Sequence, residues 1–255
     1  MSLSHQIAVG TSALTSQLRL WAGTAAFRPA RRQPELSLVL YDMENCPYCR
    51  LVREALTELD LDAEIRPCPK GGKRFRPELK NRGGKHQYPY LVDPNTGTEM
   101  YESADIIEYL ARTYEGRVAS QRGLRRSAVV ATSKMASAIR PGRGYRVRAS
   151  KAPEKLLELY SFESSPYSRL VREVLCEMEL SYLLRNTGKG AWSDMGPASF
   201  RDELFKGKKD TGRNRARLLK RTGRVQVPYL IDPNTGTEMY ESADITRYLE
   251  ETYGA

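Results

Sequence analysis

Two cysteines between Asn45 and Arg50, Cys46 and Cys49, are the side chains of this chain best suited to chemistry. In such a pair the thiolate of one residue attacks a disulfide and the other thiol releases the product. A structural disulfide and half of a zinc site are the alternatives. We favour redox use, because a zinc site needs further ligands and the remaining cysteines and histidines are isolated in the sequence: Cys68, Cys176, His5 and His86.

The sequence around this pair predicts a strand followed by a helix. Residues 36–41 are an apolar run, and apolar side chains then recur at helical spacing, at Leu51, Val52, Ala55, Leu56 and Leu59. Cys46 would lie at the helix N-terminus, where unpaired N–H groups and the helix dipole lower a thiol pKa from ~8.5 to roughly 3.5–7.5. We therefore expect Cys46 to be the nucleophile and Cys49 the resolving thiol, with Arg50 adding positive charge nearby.

The composition limits the class of protein. The chain has 255 residues, 40% hydrophobic and 28% charged, which predicts a soluble globular protein of one large or two ordinary domains. No apolar run approaches the ~18 residues of a membrane span. Four unevenly spaced cysteines indicate a reducing compartment rather than a disulfide scaffold. We predict a cytoplasmic protein with no metal.

The positive net charge of +10 is concentrated outside the predicted folded units. Residues 117–153 hold ten Lys or Arg and no acid, and residues 1–34 hold four Arg and no acid. We interpret the first of these segments as a solvated connector and do not expect nucleic-acid binding. Residues 1–34 have the composition of a transit peptide, so a plastid or other organelle is the alternative location.

The chain contains an internal repeat. Residues 89–106 recur at 228–245 with one substitution, and residues 47–54 recur at 166–173 with Ser168 in place of Cys49. About twenty additional residues, around 188–224, separate the two blocks in the second copy. Residues 26–29 (Ala-Phe-Arg-Pro) also resemble residues 138–141 (Ala-Ile-Arg-Pro).

These repeats predict four segments. Residues 1–34 would be an N-terminal helix and connector, which we prefer to the transit-peptide interpretation. Residues 35–116 and 154–255 would be two modules, joined by a basic linker with a helix at residues 117–153. Each module would have the order βαβ, a loop and then ββα, which is the thioredoxin-like α/β arrangement. A serine, Ser103 or Ser242, would cap its last helix.

The motif Cys46-Pro47-Tyr48-Cys49, the proline before the third strand and the pair Glu102-Ser103 resemble glutaredoxins and the N-terminal domain of glutathione S-transferases. Residues 66–72, 83–85 and 148–153 and the two Asp-Pro-Asn-Thr-Gly turns resemble more closely the tandem glutathione-transferase N-terminal-domain proteins of bacteria and plant plastids. The all-helical C-terminal domain of ordinary transferases has no counterpart in the sequence.

The resemblance implies a glutathione site in the first module. Pro89 would be cis, and the backbone of Tyr88 would pair with the cysteinyl part of glutathione beside Tyr48. Glu102 and Ser103 would hold the γ-glutamyl end; the alternative is that Ser103 only caps its helix. The second module has Ser165 in place of Cys46 and is either degenerate or a serine-type site, with these candidate residues: Ser165, Val227, Pro228, Glu241 and Ser242.

The function that these residues favour is a glutathione-linked thiol–disulfide oxidoreductase. Its partners would be glutathione, as co-substrate, and disulfides or glutathionylated proteins. Glutathione conjugation and a non-enzymatic module that binds glutathione or a protein are the alternatives. We interpret Cys68 and Cys176 as structural thiols, with Cys68 the better candidate for exposure.

Overall fold

The computed structural model describes residues 2–116, 124–195 and 210–255. The fold is mixed α/β, as predicted, and its described strands form one sheet of eight. The strands are β1 Leu38–Asp42, β2 Ala63–Pro67, β3 Tyr90–Asp93, β4 Thr98–Met100, β5 Leu157–Ser161, β6 Tyr182–Asn186, β7 Tyr229–Asp232 and β8 Thr237–Tyr240. Their order across the sheet is β4-β3-β1-β2-β6-β5-β7-β8.

The helices follow the predicted pattern with two additions. They are α1 Leu3–Leu18, α2 Pro47–Glu58, α3 Phe75–Gly83, α4 Ser103–Leu110, α5 Leu124–Ala138, α6 Pro166–Glu177, α7 Arg213–Thr222 and α8 Ser242–Tyr253. Helices α3 and α7 lie where we predicted only a loop. Leu79 is the one side chain that α3 buries fully, so the apolar period that reveals other helices is missing from its sequence.

Strand pairing is the same in the first half (β1–β4) and the second half (β5–β8). In each half the first strand is parallel to the second and antiparallel to the third, and the last two strands form a hairpin. The halves join where β2 pairs antiparallel with β6, with Ala63 opposite Leu184 and Ile65 opposite Tyr182. The sheet is therefore continuous across the two halves.

Helices α1 and α5 cross over between the halves. Helix α1, which precedes the first half, packs against α6, and α5, which precedes the second half, packs against α2. The hydroxyl of Ser12 donates to the carbonyl of Pro166 at 2.9 Å, and the hydroxyl of Ser133 donates to the carbonyl of Pro47 at 2.8 Å. The motif helices α2 and α6, which begin at Pro47 and Pro166, are thus each covered by the helix that precedes the opposite half. Residues 3–18 are therefore part of the packed fold.

The contacts of these two helices correct one part of the predicted repeat. Arg19 pairs with Glu54 on α2, and Arg140 pairs with Glu173 on α6 in the same way. Arg19 therefore corresponds to Arg140, and the alignment of residues 26–29 with 138–141 is wrong. The Arg-Pro dipeptide is a misleading signal, because Arg140 corresponds to Arg19 and not to Arg28.

A fully buried charge cluster lies where the halves meet. Arg53 contacts Asp42 at 2.7 Å and Glu163 at 2.9 Å, and Arg172 contacts Glu44 at 3.1 Å and Glu163 at 3.0 Å. Burying these charges is tolerable only because each guanidinium meets carboxylates at hydrogen-bonding distance. The cluster and the β2–β6 pairing together connect the two halves.

Within the described ranges, no helix has the length and apolar character needed to cross a membrane. The same residues contain no group of three or more His, Cys, Asp or Glu side chains arranged to hold a metal ion. Residues 117–123 of the predicted linker and 196–209 of the predicted insertion lie outside the described part of the chain.

Candidate functional site

Cys46 is the residue that caps the N-terminus of α2. Its sulfur accepts a hydrogen bond from the backbone N–H of Cys49 at 3.5 Å, and Pro47 occupies the first helical position. A hydrogen bond from the Cys49 thiol, together with the N–H groups of Cys49 and Tyr48, lowers the pKa of Cys46 although burial opposes it. The thiolate of Cys46 is therefore favoured over that of an ordinary cysteine.

Cys49 has the opposite tendency. Burial raises the pKa of Cys49 well above its usual value, and the negative charges of Cys46 and Asp42 raise it further. Both cysteines are free thiols in the structure. Cys46 therefore ionises before Cys49, which is the order that an attacking and a resolving thiol require.

Two charged residues near the motif, Asp42 and Arg50, differ from the sequence-based expectation. Both carboxylate oxygens of Asp42, at the end of β1, accept a hydrogen bond from Arg53 Nη1 at 2.7 Å, and the carboxylate faces Cys49. Sequence reasoning missed Asp42, although an acid ending a buried apolar strand was a usable signal. Arg50, expected to add charge at Cys46, is instead buried and donates to Ser137 on α5 at 3.2 Å.

A cavity of about 590 Å³ lies beside the motif. Tyr88 connects it to the sulfurs, because Tyr88 lines the cavity and also packs against the buried cluster that contains Cys46 and Cys49. The five residues predicted to bind a ligand in the first half all line the cavity, namely Tyr48, Tyr88, Pro89, Glu102 and Ser103. Gln87 also lines it, and α5 supplies Arg126, Ser127 and Val130.

The floor of this cavity is the start of α4. The Tyr88–Pro89 peptide bond is cis, as expected, and Gln87 Nε2 donates to Glu102 Oε1 at 2.7 Å. Glu102 immediately precedes α4 and provides no side-chain cap for it. The prediction that Ser103 caps this helix is wrong, because Ser103 is the first residue of α4. Ser103 is only 2% exposed, and its hydroxyl has no hydrogen-bond partner. A buried hydroxyl without a partner beside an uncapped helix start is suited to a carboxylate.

Helix α5 closes the other side of the cavity. Besides the residues that line it, α5 places the ammonium of Lys134 5.9 Å from the ring centre of Tyr48. Sequence reasoning missed this contribution, because the basic residues 117–153 were interpreted as a solvated connector. A weak signal was present in the small residues of α5, such as Ser133, which allow close approach to α2.

The second half reproduces the backbone of the site without its thiols. Ser165 caps α6 and accepts from the N–H of Ser168 at 3.2 Å. The Val227–Pro228 bond is cis, and Gln226 donates to Glu241 at 2.6 Å. The equivalent of Ser103 is Ser242, whose hydroxyl lies 3.2 Å from Nε2 of His5 on α1.

The remaining cysteines lie in the core. Cys68 is fully buried, its thiol donates to the carbonyl of Arg66 at 3.6 Å, and burial raises its pKa. Cys68 is therefore a buried thiol, as interpreted, and is not the more exposed of the two, because Tyr41, Leu79 and Tyr90 cover it. Cys176 is buried and donates to the carbonyl of Gly144 at 3.3 Å.

Comparison with known proteins gives one informative match. A family model described as the glutathione S-transferase N-terminal domain matches residues 40–118 and again residues 159–255. No curated protein matches the chain. Among solved structures, the chain is similar to Leishmania TDR1, described as a unique trimeric glutathione transferase, at 13% identity and a TM-score of 0.27, covering 86% of this chain and 68% of that one. Similarity at this level does not establish a shared activity.

Proposed function

The chain belongs to the family of the glutathione S-transferase N-terminal domain, and on that premise we propose that it is a glutathione-linked thiol–disulfide oxidoreductase. The observation that carries the proposal is the position of Cys46. Its sulfur caps α2, its pKa is lowered, and Tyr88 connects it to a cavity of tripeptide size. These are the features that a nucleophilic thiolate needs.

Glutathione binding is assigned to the cavity. The γ-glutamyl carboxylate would meet Ser103 and the N–H groups of the first turn of α4, and the ammonium group would meet Glu102. The backbone of Tyr88 would pair with the cysteinyl residue, which brings the glutathione sulfur toward Cys46. Tyr48 and Pro89 would form the apolar walls. The free hydroxyl of Ser103 supports this assignment.

The proposed reaction is two exchanges. The Cys46 thiolate attacks the glutathione sulfur of a glutathionylated protein, which forms a Cys46–glutathione disulfide and releases the protein thiolate. A second glutathione thiolate then attacks the bound glutathione sulfur, which yields oxidised glutathione and restores the Cys46 thiolate. Alternatively, Cys49 attacks the Cys46 sulfur and its proton passes to the departing glutathione thiolate, leaving a Cys46–Cys49 disulfide that two glutathione molecules reduce with formation of oxidised glutathione.

We further propose that the two halves are tandem modules of one ancestral unit, of which only the first keeps the reaction. Ser165 and Ser168 replace both thiols, and Ser161 stands where Asp42 does in the first half. We expect α5 to form part of the cavity wall that the helical domain supplies in ordinary transferases. A reducing compartment, such as the cytoplasm, would keep both cysteines as thiols.

The test is glutathione-dependent reduction of a glutathionylated peptide, coupled to glutathione reductase. We expect Cys46→Ser to lose at least 100-fold in rate, because Cys46 is the one cysteine whose pKa is lowered, whereas burial raises the pKa of Cys49, Cys68 and Cys176. Cys49→Ser should keep a large part of it through the second glutathione. Cys68→Ala, which changes a buried thiol in a core cluster separate from that of Cys46 and Cys49, is the control and should match the wild type.

Two outcomes would contradict the proposal. Conjugation of a generic electrophile that survives Cys46→Ser would indicate a transferase instead. Glutathione binding without turnover in either assay would leave a binding module.

A further inference from the structure

The two halves differ in what reaches the serine at the start of their last helix. In the second half the imidazole of His5 on α1 meets the hydroxyl of Ser242. In the first half Ser103 is equally buried, at 2% exposure, but its hydroxyl has no protein partner. The serine hydroxyl therefore has a protein partner in the second half, whereas in the first half it is free to bind a ligand.

The residue of α5 that corresponds to His5 is Arg126. Ser12 and Ser133 make equivalent contacts, as do Arg19 and Arg140, and these pairs align α1 with α5. Arg126 lines the cavity together with Ser103. Its Nη1 atom is buried without a hydrogen bond, and no ion pair connects its guanidinium with a carboxylate of the described residues.

A buried guanidinium nitrogen without a partner is costly unless something else satisfies it. The other charged residue that lines the cavity is Glu102, whose carboxylate already accepts a hydrogen bond from Gln87. A carboxylate from a ligand would satisfy both the guanidinium of Arg126 and the hydroxyl of Ser103. Arginine is suited to this role because its planar donors match the two oxygens of a carboxylate.

We propose that Arg126, brought in by the helix that precedes the second half, is a specificity residue that binds the α-carboxylate of the γ-glutamyl group together with Ser103. This inference rests on the proposed glutathione site. In the second half, His5 occupies the equivalent position on Ser242, so we assign the capacity to bind this carboxylate to the first half alone.

Calorimetry with three ligands tests the assignment. The ligands are glutathione, its glycyl monoethyl ester, and γ-aminobutyryl-cysteinylglycine, which lacks the α-carboxylate. Arg126→Gln should weaken binding of the first two about 10-fold to 100-fold and leave the weaker binding of the third unchanged. Arg126→Lys should recover part of the loss, because it keeps the charge. Arg247→Gln removes an exposed positive charge from α8, away from the cavity, and should change none of the three.

The results separate this inference from the function on which it rests. If the wild type binds none of the three ligands, both the proposed function and the role of Arg126 are wrong. If the wild type binds glutathione and Arg126→Gln weakens all three ligands equally, or none, only the role of Arg126 is wrong. If Arg126→Gln weakens glutathione and γ-aminobutyryl-cysteinylglycine but not the glycyl ester, Arg126 binds the glycyl carboxylate instead, and the proposal is overturned.

Discussion

Nε of Arg53 and a carboxylate oxygen of Glu163 lie 2.9 Å apart, although 110 residues separate them in the sequence and both side chains are buried. The pairing is reciprocal, because Arg172 of the second half contacts Glu44 of the first. Each half therefore supplies a carboxylate for an arginine of the other. This exchange, made by arginines of α2 and α6, makes the stability of one half depend on the other.

The first prediction concerns stability in acid. Burial opposes ionisation of Glu163, but the charges of Arg172 and Arg53 lower its pKa from 4.5 to about 2. Because the pKa is lower in the folded state, the stabilisation is complete above pH 4.5 and is lost as the pH falls toward 2. It amounts to about 3 kcal/mol.

Urea unfolding at pH 5 and pH 3 measures this contribution. As the pH is lowered from 5 to 3, the free energy of unfolding should decrease less in Glu163→Gln than in the wild type, although the variant is less stable at neutral pH. Asp244→Asn, which removes an exposed carboxylate paired with Arg247, should keep the wild-type slope. Equal slopes in Glu163→Gln and the wild type would show that Glu163 is not held ionised.

The second prediction is that the predicted modules do not fold alone. A fragment of residues 35–116 would expose the hydrogen-bonding edge of β2 and leave Arg53 without Glu163. We expect this fragment to show no cooperative unfolding by circular dichroism, whereas the full chain unfolds in a single transition. Co-expressed fragments 1–116 and 124–255 should associate and recover that transition. A fragment as stable as the full chain would contradict the prediction.

The third prediction concerns the thiol pKa of Cys46. The rate of alkylation by iodoacetamide, followed by peptide mass spectrometry, should have its midpoint below the ~8.5 of a free cysteine. Cys49→Ala removes the main donor to the sulfur and should raise the midpoint, whereas Cys49→Ser keeps a hydroxyl donor and should stay nearer the wild type. A wild-type midpoint at or above 8.5 would remove the basis of the redox function.

The fourth prediction tests the crossing of α1 and α5. Ser12→Ala and Ser133→Ala each remove one hydroxyl donor to a motif helix and should cost about 1 kcal/mol. Hydrogen exchange should accelerate at the start of α6 in the first variant and at the start of α2 in the second. Acceleration in the helix of the same half, rather than the opposite one, would be inconsistent with the crossing.

Much of the fold within each half could be predicted from the sequence, because it depends on local patterns. The strand before Cys46, the apolar stripe of α2 and the turn before β4 are all encoded within a few residues of one another. The repeat then extends the same prediction to the second half. Helix α3 escaped prediction because it buries almost no apolar face.

The sequence by itself determined the thiol motif, its position at a helix start and the residues at the floor of the cavity. Only the tertiary structure decided that β2 meets β6, that α1 and α5 exchange partners, and that Arg126 enters the cavity. These depend on which unpaired strand edges and helix faces meet, over separations at which residue spacing carries no information. In the sequence Arg126 is one of ten basic residues in a linker, and what distinguishes it is its place in the cavity with Ser103 and a buried Nη1 that has no partner.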